Sequence, residues 1–436
     1  MVRMRGLLIA VIVLAALAAG VWWSNKSKQA EAMKPAADAA PKILAIPGDQ
    51  ITKVEIRKDG AEATVAERKD GKWTLTAPKP LAADQDALSS MTSTFAALNA
   101  DRLIEEKTAD LGQYGLAKPS IEITITQKDG KNRELLIGDE LPTSSGFYAK
   151  LGDDPRVFTI ASYTKTSLDK SAADLRDKRL LRFDSDKLSR LELAARGAAI
   201  EFGKNNQGDW QILKPRPLRA DGGQVEELIR KLRDAKMDAD ATEKDAKAFA
   251  AGRQVAVAKM TDAAGTQQLQ VRKDKDKNYY AKSSAVEGVY KLAADIGDAL
   301  DKGLDDFRNK KLFDFGWSDP SKIEVRGGAS YQKSGDKWMS AGKQMDSATM
   351  QGVVDKLRDL SATAFPEKGF TTPALEFTVT SNEGKRVEKV ALARSGDAWI
   401  AQRENEPALY QIDAKAVDEL QKAIAAVKEA APAKKK

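Results

Sequence analysis

The sequence predicts an α+β protein: an N-terminal transmembrane helix followed by three tandem modules, each an antiparallel sheet covered by helices. A threefold internal repeat, short alternating apolar runs broken by Gly turns, and an apolar stripe of helical period lead to that class. The repeat is read first at tryptophan, in GKWTLTAPKPL around Trp73, GDWQILKPRPL around Trp210 and GDKWMSAGKQM around Trp338. It returns downstream in FYAK at Phe147, YYAK at Tyr279 and WIAQ at Trp399, each followed ten residues on by VFTI, VYKL or LYQI. A spacing of roughly 130 residues is a domain, because a chain of that size can bury its own core.

The element order within one module follows from local pattern. An opening run such as Val54-Glu55-Ile56-Arg57 or Ile323-Glu324-Val325-Arg326 alternates and then meets a Gly turn, as an antiparallel strand with one wet face does. The Trp strand follows. In the first two copies Pro78 and Pro215 end it, since proline cannot donate to a ladder. Asp84, Asp221 and Asp346 then stand where a helix N-cap is expected. Four, seven and eleven residues beyond them lie Leu88, Met91 and Phe95, then Val225, Leu228 and Leu232, then Met350, Val353 and Leu357. That spacing paints one helix face, and its ordinary destination is the core. Further strands follow, and a second helix is expected around Leu168, Leu300 and Leu420.

The boundaries expected are a transmembrane anchor over 1–23, a flexible tether over 24–48, module one over 49–178, module two over 179–310, module three over 311–428 and a disordered tail over 429–436. The anchor rests on the uncharged run from Gly6 to Trp23, 18 residues long, which would hold inner-membrane lipid through residues 6–23. Trp22 and Trp23 would sit at the headgroup level. A cleaved signal peptide is the competing reading. With the anchor retained, the body is expected in the periplasm.

Composition narrows the chemistry. The chain of 436 residues has 71 basic and 64 acidic residues in alternation, net +7, with no basic stripe of the kind that reads nucleic acid. It has no His and no Cys, which removes the commonest general base, the thiolate nucleophiles and the usual transition-metal ligands. Where Gly-Lys occurs, as before Trp73, Asn132, Gln344 or Arg386, no Ser or Thr follows to make a phosphate loop. Asp274 to Asn278 begins like a calcium loop but carries Tyr279 where Gly is needed, and reads as a charged hairpin tip. Ser-x-x-Lys pairs at Ser167, Ser330 and Ser334 fall at non-equivalent places in the modules. No catalytic residue, cofactor or metal site is therefore expected.

Tyr114-Gly115-Leu116 before Pro119, the tryptophan-then-proline strand, the N-terminal apolar run and the joint DLRDKRLLRFD from Asp174 to Asp184 resemble proteins carrying the domain of unknown function 4340. The resemblance implies a membrane-anchored bacterial envelope protein, set beside ABC transporter subunits of the gliding-motility type. The expected function is thus a periplasmic scaffold or accessory protein of an envelope complex, with an ABC-type transport system as setting, a protein partner and no catalysis. The alternative is a periplasmic binding module for a glycan or peptide, using Tyr148, Tyr280 and Trp399 at equivalent positions.

Overall fold

The computed structural model describes residues 41–142, 145–317 and 320–431, and the chain divides after Lys178 into two compact units. Among the described residues strand accounts for 42% and helix for 24%, in four antiparallel sheets. This corrects the expected α+β class: the protein is mainly β. The balance is set by long strands such as Arg253–Asp262, Gly265–Lys273 and Arg386–Ser395, against helices of at most 13 residues, and two-residue returns such as Leu81–Ala82, Leu218–Arg219 and Lys343–Gln344 extend each sheet after its Trp strand.

The expected transmembrane anchor is corrected as well. Among the described residues no helix is long and apolar enough to cross a membrane. The longest of them, Ser347–Asp359, has 13 residues and so spans about 20 Å, well short of the ~30 Å hydrocarbon layer. Residues 6–23 lie outside the described residues, and the single-pass inner-membrane placement has no support here.

In the first unit, nine strands form one sheet built from two meanders joined at their first strands. Ile51–Lys58 lies beside Ile121–Gln127, with Val54 opposite Ile125 and Ile56 opposite Ile123. The helices Gln85–Ala96 and Ser162–Leu168 pack on each other and on strands of this sheet. Ile43, Leu44 and Ile46, expected in the tether, are buried, and Lys42–Leu44 pairs with Leu98–Asn99 in a separate two-stranded sheet. Three apolar residues in four positions are enough to draw that segment into the core.

The second unit holds two more sheets of the same plan, one of eight strands over residues 190–292 and one of nine over 322–412. A single contiguous apolar core runs through both, from Leu180 to Leu420. Trp73, Trp210 and Trp338 are buried, as are all nine residues of the helical stripe. Each tryptophan hides up to ~250 Å², a contribution of at most about 6 kcal/mol by transfer area. Asp84, Asp221 and Asp346 are N-caps, accepting from the amides of Ala87, Gln224 and Thr349 at 3.0, 3.1 and 3.0 Å.

The joints are structured by backbone pairing. Within the first unit the Asp84 amide donates to the Leu175 carbonyl and the Asp177 amide to Ala82, both at 2.8 Å. The second joint repeats this: Asp221 donates to Phe307 at 2.8 Å and Asn309 to Arg219 at 3.0 Å. Its far half then turns to module three, Leu312 donating to Leu360 at 3.0 Å and Ala362 to Lys310 at 2.8 Å. One short peptide thus belongs to both sheets. The chain's end does the same, since Asp346 donates to Lys428 at 2.8 Å and Ala430 to Gln344 at 2.9 Å. Glu429 and Ala430, expected in a disordered tail, are held by these bonds.

Candidate functional site

The three aromatics expected as a contact surface do not form one set. Ala149, Ala281 and Ala401 lie opposite Phe158, Tyr290 and Tyr410, which fixes the register between modules. By that register Trp399 corresponds to Phe147 and Tyr279, whereas Tyr148 and Tyr280 correspond to Ile400. Successive strand residues point to opposite faces, so a one-residue offset puts Trp399 on the other side of its sheet from the position Tyr148 and Tyr280 occupy. Exposure is low as well: Tyr280 is 6% and Trp399 8% exposed, and Tyr148 is half-buried with its ring 4.8 Å from that of Tyr114. The hairpin tip behaves as expected, with the Asp274 carboxylate accepting from the amides of Asp276 and Asn278 at 2.9 and 2.8 Å. Ser167 donates to the Thr164 carbonyl at 2.7 Å.

The site that the geometry does build lies within the second unit, where modules two and three meet across the joint. It is a polar cleft of about 950 Å³, near the upper end of the 300–1,000 Å³ usual for ligand sites. Its floor is an ionic chain. The largely enclosed Arg403 guanidinium donates to Glu406 at 2.8 Å and to Glu388 at 3.0 Å, and also to the Leu312 carbonyl of the joint. Glu388 accepts from the Asp314 amide at 2.9 Å, and Arg386 donates to the Asp314 carbonyl. Tyr410 donates to Glu406 at 2.7 Å. Burial first, then the neighbouring Glu406 charge, push the Tyr410 hydroxyl up to about 12. Burial opposes the charge on Arg403, but Glu406 and Glu388 outweigh it and hold the guanidinium above its ordinary value.

Module two supplies the opposite wall. Trp210 donates its indole N–H to Glu226 at 2.5 Å, and Asp221 is occupied as a helix cap. Arg219 donates through Nη1 to the Lys311 carbonyl at 3.0 Å. Its Nη2 is enclosed without a hydrogen-bond partner, 3.7 Å from the Asp314 carboxylate. None of these residues stood out in the sequence as a site, although Arg308 to Lys311 form a visibly charged stretch. Arg386, Glu388 and Arg403 are brought to it by strand pairing across more than 70 residues, and nothing in their local pattern marks them.

These features define a class: tandem modules of antiparallel sheet backed by helices, of which the second and third are stitched together by a shared extended joint. The chain belongs to the family described as Domain of unknown function (DUF4340), whose profile matches residues 73–212 and 210–376. Neither a comparison with curated proteins nor one with solved structures finds a match to the chain.

Proposed function

We propose that the protein is a non-catalytic docking scaffold that presents its modules to a protein partner in a larger complex. The observation that carries this reading is what the repeat preserves. The tryptophans, the capping aspartates, the helix stripes and the joint pairing recur in the modules, and they serve packing and connection. A repeated catalytic site would repeat its reactive groups instead. ABC-type transport subunits, the setting that the family resemblance implied, are the first partners to test. Cross-linking the tagged full-length chain in its native cells should bring down a defined protein in fixed ratio. Isolation of the chain with no stoichiometric partner overturns the reading. The peptide form of the binding-module alternative is favoured by the polar cleft; the glycan form, which relied on exposed rings of Tyr280 and Trp399, is not.

A further inference from the structure

We infer that a pocket on the outer sheet face of module three takes an aliphatic side chain from an extended segment of a partner protein, a reading that rests on the scaffold function and adds to it a site and a chemistry. Module one shows what this place ordinarily holds. On its strand Asn132–Glu140, Leu135 and Ile137 enter the core, so Leu136 turns to the other face, opposite Glu122 and Lys150. There Leu136 and Tyr148 pack against a buried cluster of Tyr114, Leu116 and Val157. In module three Ala391, on the strand Arg386–Ser395, stands opposite Glu376 and Gln402, and so takes the place of Leu136. Phe370 stands before Pro373 as Leu116 stands before Pro119. Where leucine has become alanine, a pocket of about 530 Å³ lies among Phe370, Pro373, Ala391 and Gln402, within the range usual for ligand sites. The wall has lost its cover as well: Leu116 is 2% exposed, whereas Phe370 is only half-buried and Pro373 is exposed.

The charges that line the pocket balance. Arg326 pairs with Glu376, Lys389 with Glu404 at 3.2 Å, and Arg403 with Glu406 at 2.8 Å. A charged occupant would give up its water and find no surplus of the opposite sign, whereas an uncharged one gives up little. The alanine floor and the phenylalanine wall then favour a side chain like the one that module one supplies from its own strand. Val387 shows how such a side chain is carried. It is 61% exposed and lies on the same face of the same strand as Ala391, four residues away, a separation of roughly 13 Å along a strand. Two apolar contacts at that spacing suit an extended segment with aliphatic residues at positions i and i+4, laid along the outer face.

The test uses the purified full-length chain and a fluorescent heptapeptide of threonine with leucine at its second and sixth positions, blocked at both ends and read by anisotropy. The same peptide with serine or with glutamate at those positions, and free isoamyl alcohol, serve as the other arms. The leucine peptide should bind with an affinity that holds as salt rises, and the serine and glutamate peptides should bind about tenfold more weakly or worse. Ala391→Leu restores the side chain that module one carries; it should weaken leucine-peptide binding by about tenfold or more without lowering the unfolding midpoint. Val387→Ser, at an exposed position, should weaken it to a smaller extent and decides the matter should Ala391→Leu fail to fold. Equal binding of the serine or glutamate peptide, full affinity in either variant, or displacement of the peptide by equimolar isoamyl alcohol would each overturn the assignment. If the leucine peptide fails to bind while cross-linking still yields a stoichiometric partner, the pocket assignment falls and the scaffold reading stands. If no partner is captured but the peptide binds in the manner described, the reverse holds.

Discussion

Modules two and three occupy one compact unit and share a core, yet they finish their sheets differently. In module three the strand Ala362–Ala364 follows the first helix and pairs with Leu409–Ile412, closing a nine-stranded sheet. In module two the matching stretch is Met237 to Thr242, and the sheet stops at eight strands with Val289–Leu292. A helix, Glu243–Ala251, packs there against Val289–Leu292 and Tyr279–Ser283 instead. The cause is local. Asp238-Ala239-Asp240-Ala241 is built from residues that avoid strands, and Thr242 with Asp245 forms a capping box that starts a helix. Phe249 anchors that helix beneath the Arg272 guanidinium, 5.0 Å from its ring. The comparison teaches that the inner strands and the paired helices are the constant part of this module, while the edge is free to change.

If that is right, damage to the shared interior must reach both modules. Phe307 is fully buried in the joint, with its ring 5.1 Å from that of Phe202. Phe307→Ala should cost about 3–5 kcal/mol and should shift modules two and three together in denaturant unfolding. Two separated transitions, with only one displaced, would break the comparison.

The next effect concerns a loop of module one that has no counterpart of the same conformation in module two. Gly115 has φ +66°, and a Cβ there would lie 2.4 Å from the Asp139 side chain. Gly115→Ala should cost about 2 kcal/mol or more, seen as a lowered midpoint for the first unit alone. At the corresponding place in module two, Gly252 has an ordinary φ of −72° and simply follows the helix.

A third test belongs to module three. The Tyr410 hydroxyl holds its proton up to about pH 12 in the folded chain, against 10.0 for the ordinary side chain. Above pH 10 the unfolded chain releases that proton first, so stability falls as pH rises toward 12. Tyr410→Phe should flatten that part of the alkaline decline, measured as unfolding free energy against pH. The smallest expected change is Thr242→Ala, about 1 kcal/mol. It should be visible as faster amide exchange confined to the helix Glu243–Ala251; exchange rising equally across the eight strands would deny that this edge element is a local addition.

The interior of the fold was legible because its residues obey a period. Trp73, Trp210 and Trp338 recur with the same neighbours, and the capping aspartates count out the helix stripe by number. What escaped were features with no period. The two-residue returns such as Leu81–Ala82 and Leu218–Arg219 are too short to alternate. Glu388 and Arg403 come together only because two strands lie side by side. The aromatic set failed for another reason: FYAK, YYAK and WIAQ already align their alanines and set Trp399 level with Phe147 and Tyr279, yet Tyr148 and Tyr280 were grouped with it. Tyr148 and Trp399 were thereby placed one residue out of step.

The shared joint has a consequence for how the lobes are counted. Both matched family segments begin at a tryptophan and run through a joint into the following sheet, at residues 73–212 and 210–376. The matched segments are therefore out of phase with the folded lobes, and each contains the peptide that connects one lobe to the next. Two matched segments reach into three lobes, so counting lobes from the matches alone falls short by one.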